Sequence, residues 1–157
     1  MTADMTEQPQ PVTIERMTYE DIPQVHRLEK LCFTAPWDIS AYYRDFRNPS
    51  AFYQVARLAG RIVGFGGVWI IEDEAHIVTM AVQQEYRCRG IGRLLMDALL
   101  EEARRRHVAI VTLEVRVHNA PAQHLYTKLG FHTIAYRRHY YPDNNEDAAV
   151  MELRLDQ

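Results

Sequence analysis

The stretch YRCRGIGRLLMDALLEEARRR, residues 86–106, places two arginines and two glycines within six residues, immediately before a long amphipathic helix. Arg87, Gly90 and Gly92 form the pattern R-x-x-G-x-G. Glycines let backbone amides approach a phosphate closely, and a helix N-terminus adds unpaired N–H groups with a favourable dipole. Arginine adds a fixed charge and forked donors. The pattern predicts an anion-binding loop, and the alternative is a tight turn with solvated arginines.

Two common nucleotide-binding loops do not match this stretch. A Walker loop requires Gly-Lys followed by Ser or Thr, whereas Gly92 precedes Arg93 and Leu94. A dinucleotide fingerprint requires a third glycine where Leu95 stands. An anion site here would therefore be of another kind.

Length and composition describe an ordinary globular chain. With 157 residues, we expect one domain over residues 12–157, after a polar, proline-punctuated and disordered lead-in over residues 1–11. A net charge of −3 argues against nucleic-acid binding. We expect no membrane span and no export leader, and two cysteines suggest no disulfide framework, so the cytoplasm is the expected compartment.

Strands alternate with helices along the chain, which predicts an α/β domain with a mixed sheet. A capping box at Thr18 and Asp21 predicts a first helix. Apolar spacing predicts that the two longer helices bury the residues Ile22, Val25, Leu28, Leu31 and Cys32, and Ile91, Leu94, Leu95, Ala98 and Leu99. A hairpin near Ala59-Gly60, a short helix capped by Asp38 or Ser40, and two final strands around PDNNED complete the predicted elements.

Two further blocks carry a family resemblance, LEVRVHNAPAQHLYTKLGF (113–131) and YRRHYYP (136–142). Together with R-x-x-G-x-G, they are similar to the GNAT superfamily of N-acetyltransferases. They resemble most the branch of ribosomal-protein-alanine (RimI-type) and related N-terminal acetyltransferases. The resemblance runs from about Val12 to Leu155. It implies the GNAT fold, a mixed and mostly antiparallel sheet flanked by helices on both faces.

The strand IVTLEVRV alternates between an apolar and a polar face, and Glu114 lies on the polar one. A polar face on a central strand suggests a neighbouring cleft. Glu114 could remove a proton from an ammonium group, or it could simply pair with Arg116 or another cation. The resemblance implies that Glu114 is the general base.

Two residues around the next helix have a structural and a functional interpretation each. Tyr126 falls in the apolar stripe and suits a core aromatic; the resemblance implies instead that it protonates the leaving thiolate. Asn119 is a good helix N-cap, and the resemblance suggests a contact with the CoA arm.

The resemblance implies acetyl-CoA as co-substrate, with its pyrophosphate on the loop and its pantetheine arm on the preceding strand. The residues expected to bind it are Met80, Ala81, Val82, Arg87, Cys88, Arg89, Gly90, Ile91, Gly92, Arg93 and Asn119. Cys88 matches no nucleophile of the family. The histidines form no metal-binding motif, and no metal site is expected. His76 could approach the cleft, although a solvated or core position is its simpler interpretation.

Paired tyrosines offer rigid contact area and hydroxyl donors to a peptide backbone. Tyr140 and Tyr141 could serve in this way or could pack an exposed strand edge. The resemblance suggests that they line a peptide groove together with Pro36 and Trp37.

The expected function is acetyl transfer from acetyl-CoA to the α-amine of a protein, most simply a small-subunit ribosomal protein that starts with alanine. One alternative is a GNAT enzyme that acts on lysine side chains or a small amine. Another is a non-catalytic acyl-CoA-binding module, which would need neither Glu114 nor Tyr126. We expect a monomer or weak dimer.

Overall fold

Strands and helices alternate along residues 11–156, the part of the chain that this computed structural model describes. In chain order the elements are β1 (Val12–Arg16), α1 (Ile22–Cys32), α2 (Ile39–Phe46), β2 (Ala51–Leu58), β3 (Arg61–Ile71), β4 (Glu74–Val82), α3 (Ile91–Arg105), β5 (Ile110–Arg116), α4 (Ala120–Lys128), β6 (His132–Tyr141) and β7 (Glu146–Arg154). The predicted lead-in lies outside the described residues except for its last position. None of the helices in this range has the length and apolar character needed to span a bilayer.

The strands form one seven-stranded sheet in the order β1-β2-β3-β4-β5-β7-β6. Neighbouring strands are antiparallel except for β4 and β5, which pair in parallel. The predicted mixed, mostly antiparallel sheet is therefore confirmed. The parallel pair is short, since only Glu74–His76 of β4 face 110–112 of β5. Beyond that point the two strands separate in the middle of the sheet.

Helices cover both faces of the sheet. At Gly66 an added Cβ would point at Leu99 of α3, and at the next residue, Gly67, it would point at Tyr53. Successive side chains of a strand point to opposite faces, so α3 and the ring of Tyr53 lie on opposite sides. Tyr53 packs against Tyr42 of α2. One buried cluster thus joins the sheet to α3 and α4, and a second joins it to α1 and α2.

Capping residues fix several helix starts as the sequence predicts. The Asp21 carboxylate accepts from the Thr18 amide at 2.9 Å, although this box opens a short 3-10 turn that runs directly into α1. Asp38 caps α2 by accepting from the Ser40 amide at 3.0 Å. Gly130 follows α4 with φ 104°, a conformation that glycine tolerates best.

Two leucines predicted to be buried are exposed. Leu31 is 63% exposed and Leu94 is 43% exposed. In α3 the buried stripe is rotated toward Met96, Leu100 and Ala103, because this helix packs across four strands, β1 to β4, and not against a single line of contact. The rotation leaves Leu94 on the flank.

Candidate active site

A cleft of about 420 Å³ opens where β4 and β5 separate. Its walls come from the segment between α1 and α2, from β4 and β5, from α4, and from the turn between β6 and β7. Glu114, Tyr126 and Asn119 all line it. The polar face of β5 therefore borders a cleft, as its alternating pattern predicts.

Glu114 projects from β5 with a side chain that is only 10% exposed. Its Oε1 lies 2.9 Å from His76 Nε2, and its Oε2 lies 3.9 Å from Arg137 Nε. Burial acts to raise the pKa of this carboxyl, but the hydrogen bond and charge of His76 and the charge of Arg137 outweigh it and hold the pKa below its usual value. Glu114 is therefore ionised at neutral pH and can accept a proton.

The sequence left two pairings open for Glu114, with Arg116 or with another basic side chain, and the structure shows the second. Arg116 instead binds Asp143 at 3.0 Å and Glu146 at 3.2 Å, at the β6–β7 turn. The basic side chains beside Glu114, His76 and Arg137, come from β4 and β6. The simpler interpretation of His76, as a solvated or core residue, misses its contact with Glu114. In the sequence, the only indication of this contact was the position of His76 on the strand before the loop. The sequence does not give the register of β4 against β5, so it could not show that His76 lies beside Glu114.

The position of Tyr126 fits both interpretations that the sequence left open. It is 7% exposed and packs against Phe131 with ring centroids 6.0 Å apart, as a core aromatic would. It also lines the cleft. Burial raises the pKa of its phenol to about 12, so the hydroxyl keeps its proton at any physiological pH and is available as a donor.

The loop before α3 has the backbone conformation of an anion site. Gly90, the N-cap, has φ 83°, and Cys88 also has a positive φ of 64°. The Leu94 amide donates to the Gly90 carbonyl and closes the first turn. The amides of residues 91–93 precede this bond and have no partner within the helix. They form a group of donors at the positive end of the helix dipole.

The arginines of this loop contact their own chain. Arg87 Nε donates to the Val82 carbonyl at 2.8 Å and so fastens the loop to the end of β4. Arg89 lies over the ring of Tyr86 at 5.4 Å, and Arg93 Nε lies 3.4 Å from Asp97. All three arginines keep further N–H groups that these contacts do not use.

The end of β4 presents main-chain groups to the cleft. The Gln83 amide donates to Val63 of β3 at 2.8 Å. Main-chain groups alternate between the two edges of an antiparallel strand. Those of Ala81 therefore also point toward β3, whereas those of Met80 and Val82 point to the edge that β5 leaves uncovered. Of the three residues predicted for the pantetheine arm, only Met80 is among the lining residues, and the Val82 carbonyl already accepts from Arg87, so their contact with this arm stays a prediction.

Asn119 caps α4, and its Oδ1 accepts from the Ala122 amide at 3.2 Å. The N-cap interpretation is confirmed. The same residue lines the cleft, so a contact with the CoA arm stays a prediction.

The predicted peptide-binding residues approach from opposite sides of the cleft. Trp37 lines it from the α1–α2 segment, and Tyr140 and Tyr141 line it from the β6–β7 side. The two tyrosine rings are perpendicular, 5.0 Å apart, and Arg116 lies 4.0 Å from the second ring. Pro36 is exposed and is not among the lining residues.

Three residues that support these walls carry no signal in the sequence. Thr34 donates to Asp143 at 2.6 Å and so joins the α1–α2 segment to the β6–β7 turn. Glu29, buried on α1, accepts from the Trp37 amide at 3.0 Å and from the hydroxyl of Tyr42. Such contacts join residues distant in sequence, and no local pattern marks them. Among residues 11–156 no three His, Cys, Asp or Glu side chains are grouped as a metal site would need.

Comparison with known proteins places the fold and the cleft in a family. Residues 22–131 match the model of the Acetyltransferase (GNAT) family. The chain is 37% identical over 145 residues to the "Putative [ribosomal protein bS18]-alanine N-acetyltransferase" of Bacillus subtilis, covering 92% of this chain and 96% of that one. It is 37% identical over 155 residues to the "N-alpha-acetyltransferase RimI" of Mycobacterium tuberculosis, covering 94% and 95%.

A solved structure gives the same result. The crystal structure of the ribosomal-protein-S18-alanine N-acetyltransferase from Escherichia coli superposes with a TM-score of 0.85 at 31% identity, covering 92% of this chain and 94% of that chain. The chain belongs to the GNAT acetyltransferase family, whose members use acetyl-CoA. The resemblance seen in the sequence is confirmed.

Proposed function

We propose that this protein transfers the acetyl group of acetyl-CoA to the N-terminal α-amine of a protein, and that the natural substrate is a ribosomal protein beginning with alanine. One observation carries the chemistry: an ionised carboxylate and a protonated phenol, Glu114 and Tyr126, line the same cleft of a GNAT fold. The names of the relatives in Bacillus subtilis and Escherichia coli support the choice of substrate.

The residues around the cleft fit acetyl-CoA. The unpaired amides of residues 91–93 would hold the pyrophosphate, and the open left-handed turn at Gly90 lets it approach. Main-chain groups of Met80 and Val82 would hold the pantetheine arm in the manner of an added strand. When bound, acetyl-CoA supplies the thioester whose acetyl group is transferred. Arg87 and its neighbours add positive charge beside the phosphates.

Glu114 and Tyr126 are the two residues assigned to proton transfer in this reaction. An α-ammonium group has a pKa of about 8, so only a modest base is needed to produce the free amine. Glu114 Oε2, on the side of the carboxylate away from His76, accepts this proton, and the N–H electron pair stays on nitrogen for attack on the thioester carbon. After the attack the nitrogen carries one proton more than the amide product, and this second proton passes to solvent. The C–S bond then breaks, and Tyr126 gives its hydroxyl proton to the departing sulfur. Both residues return to their resting states by exchange with solvent.

The walls of the cleft favour a peptide terminus. Trp37 and the paired tyrosines of β6 line the same cleft, and the hydrogen bond from Thr34 to Asp143 joins the two segments that carry them. A free α-amine with a small first side chain can reach the thioester while the next peptide groups bond to the walls. A lysine ε-amine arrives on a long stem, and its own main chain would lie too far out to make these bonds.

Three substrates distinguish the proposed function from its alternatives. The protein is incubated with acetyl-CoA and an alanine-initiated peptide that has the N-terminal sequence of the ribosomal substrate, an N-terminally blocked lysine peptide, or a small amine. Thiol release and the mass of each product are measured. We expect acetylation of the alanine peptide. Acetylation confined to either other substrate would contradict the proposed substrate, and binding without turnover of any substrate would indicate a non-catalytic acyl-CoA module.

The compartment and the oligomeric state are part of the same proposal. The two free cysteines fit a reducing environment, and we propose the cytoplasm and a monomer or weak dimer.

A further inference from the structure

His76 belongs to the last residue pair of β4 and β5 before the two strands separate and the cleft begins. It pairs with Thr112, and Glu114 follows two residues later on the same face of β5. Glu114 lines the cleft, but His76 and Thr112 are not among the lining residues. His76 therefore contacts Glu114 from outside the set of residues that line the cleft.

Both ring nitrogens of His76 have partners. Nε2 lies 2.9 Å from Glu114 Oε1, and Nδ1 lies 3.1 Å from Thr112 Oγ1. A neutral imidazole has one donor and one acceptor nitrogen. An ionised carboxylate can only accept, so Nε2 is the donor in either charge state of the ring, and in the neutral ring Nδ1 accepts from the Thr112 hydroxyl. The two contacts fix the ring orientation and the tautomer together.

We propose that His76 is the positioning residue for Glu114 as general base. Its Nε2–H engages Oε1 and fixes the plane of the carboxylate, which leaves Oε2 directed toward the substrate ammonium. Thr112 holds the imidazole in the tautomer that this task requires. The inference rests on the proposed function, in which Glu114 accepts the substrate proton.

The charged groups beside this pair come from β6 and β7, and an aromatic residue of β3 completes the surroundings. Arg137 of β6 lies on the other side of Glu114, at 3.9 Å from Oε2. Glu152 of β7 stands opposite Thr112 in the sheet, and Trp69 of β3 stands opposite His76.

A matched pair of amides tests the proposal. In His76→Gln the side-chain amide reaches the position of Nε2 and can donate to Glu114, whereas in His76→Asn it reaches only the position of Nδ1. We expect kcat/KM at pH 8 to stay within about threefold for His76→Gln and to fall about tenfold or more for His76→Asn, the usual effect of losing a hydrogen bond to a charged group. Affinity for acetyl-CoA and Tm should not change in either variant. His124→Asn, an exposed histidine of α4, is the control.

A double-mutant cycle separates positioning from a general structural effect. Adding His76→Asn to Glu114→Gln should cost nothing further, since His76 acts only through Glu114.

Three results would overturn the proposal. These are full activity of His76→Asn, equal losses of kcat/KM in both amide variants, or a loss on adding His76→Asn to Glu114→Gln that is as large as the loss in the native protein. In each of these cases the proposed function would survive if Glu114→Gln alone is impaired. A fully active Glu114→Gln would overturn the positioning role and the catalytic role of Glu114 together.

Discussion

Tyr126 could serve as a core aromatic or as a proton donor, and only the second role requires its hydroxyl group. Tyr126→Phe keeps the ring against Phe131 and removes only the proton donor. We expect kcat to fall about tenfold or more while Tm and the affinity for acetyl-CoA change little, because general acid catalysis contributes at least this much. Steady-state thiol release and thermal unfolding measure the two effects. A fully active Tyr126→Phe would show that the core interpretation suffices.

Glu114→Gln should produce a pH-dependent loss. The pKa of Glu114 is held below its usual value, so the native carboxylate is ionised and competent throughout the neutral range. The variant depends on substrate that has already lost its proton, and this fraction grows as pH rises through the α-amine pKa of about 8. We therefore expect the largest loss in kcat/KM near neutral pH and a partial recovery above pH 8. A loss that is constant across the pH range would argue against a general base.

Sequence reasoning succeeded at these residues where the pattern was local. The alternation of β5 placed Glu114 on a polar face, and the helical spacing of α4 placed Tyr126 inward. The contact between His76 and Glu114 could not be predicted, because it depends on which residues of two strands lie side by side. Nothing in the chain between β4 and β5 indicates how these two strands are aligned.

Among the elements, the loop before α3 depends on backbone conformation. An added Cβ at Gly90 would meet nothing within 4 Å, so a side chain there is disfavoured by the φ of 83° and not by collision. Gly60, in the β2–β3 turn, has the same properties with φ 80°. We expect Gly90→Ala and Gly60→Ala each to cost about 1 kcal/mol of stability, and only Gly90→Ala to weaken acetyl-CoA binding.

Calorimetric titration with acetyl-CoA, together with thermal unfolding of both variants, checks this expectation. Unchanged affinity in a folded Gly90→Ala, or an equal loss of affinity in both variants, would remove the loop from the cofactor site.

Strand β6 carries a matched pair of tyrosines for the peptide wall. Tyr140 lines the cleft, whereas Tyr136 on the same strand is 66% exposed and does not. We expect Tyr140→Ala to raise KM for the peptide about tenfold, as the loss of a binding aromatic often does, with no change in acetyl-CoA affinity. Tyr136→Ala should leave both values unchanged. Equal KM values for Tyr140→Ala and the native protein would place the peptide elsewhere.

Helix ends were easier to predict than helix faces. Caps such as Asp38 and Asn119 are local, and the structure confirms them. The buried face of α3 depends on how the helix lies across four strands, and the sequence placed Leu94 inward where the structure exposes it. The five positions predicted to be buried describe a narrow contact face, whereas the face of α3 that packs on the sheet is wider.

For the whole molecule, the site is a consequence of topology. A parallel contact only three residues long joins two otherwise antiparallel halves of the sheet, and the separation beyond it creates the cleft. The family resemblance predicted this fold. Strand patterns alone gave a mixed sheet, because they contain no information on where two distant strands stop pairing.

The claim that this cleft acetylates a protein terminus is tested most directly on a peptide that carries both kinds of amine. A peptide with a free N-terminal alanine and one internal lysine is incubated with the protein and acetyl-CoA, and the modified nitrogen is mapped by fragmentation mass spectrometry. A lysine ε-amine forfeits the main-chain contacts of the groove, each worth about tenfold or more in rate. We predict acetylation at the α-amine, with the lysine left unmodified until the α-amine is consumed. Acetyl groups found first on the lysine would contradict the account.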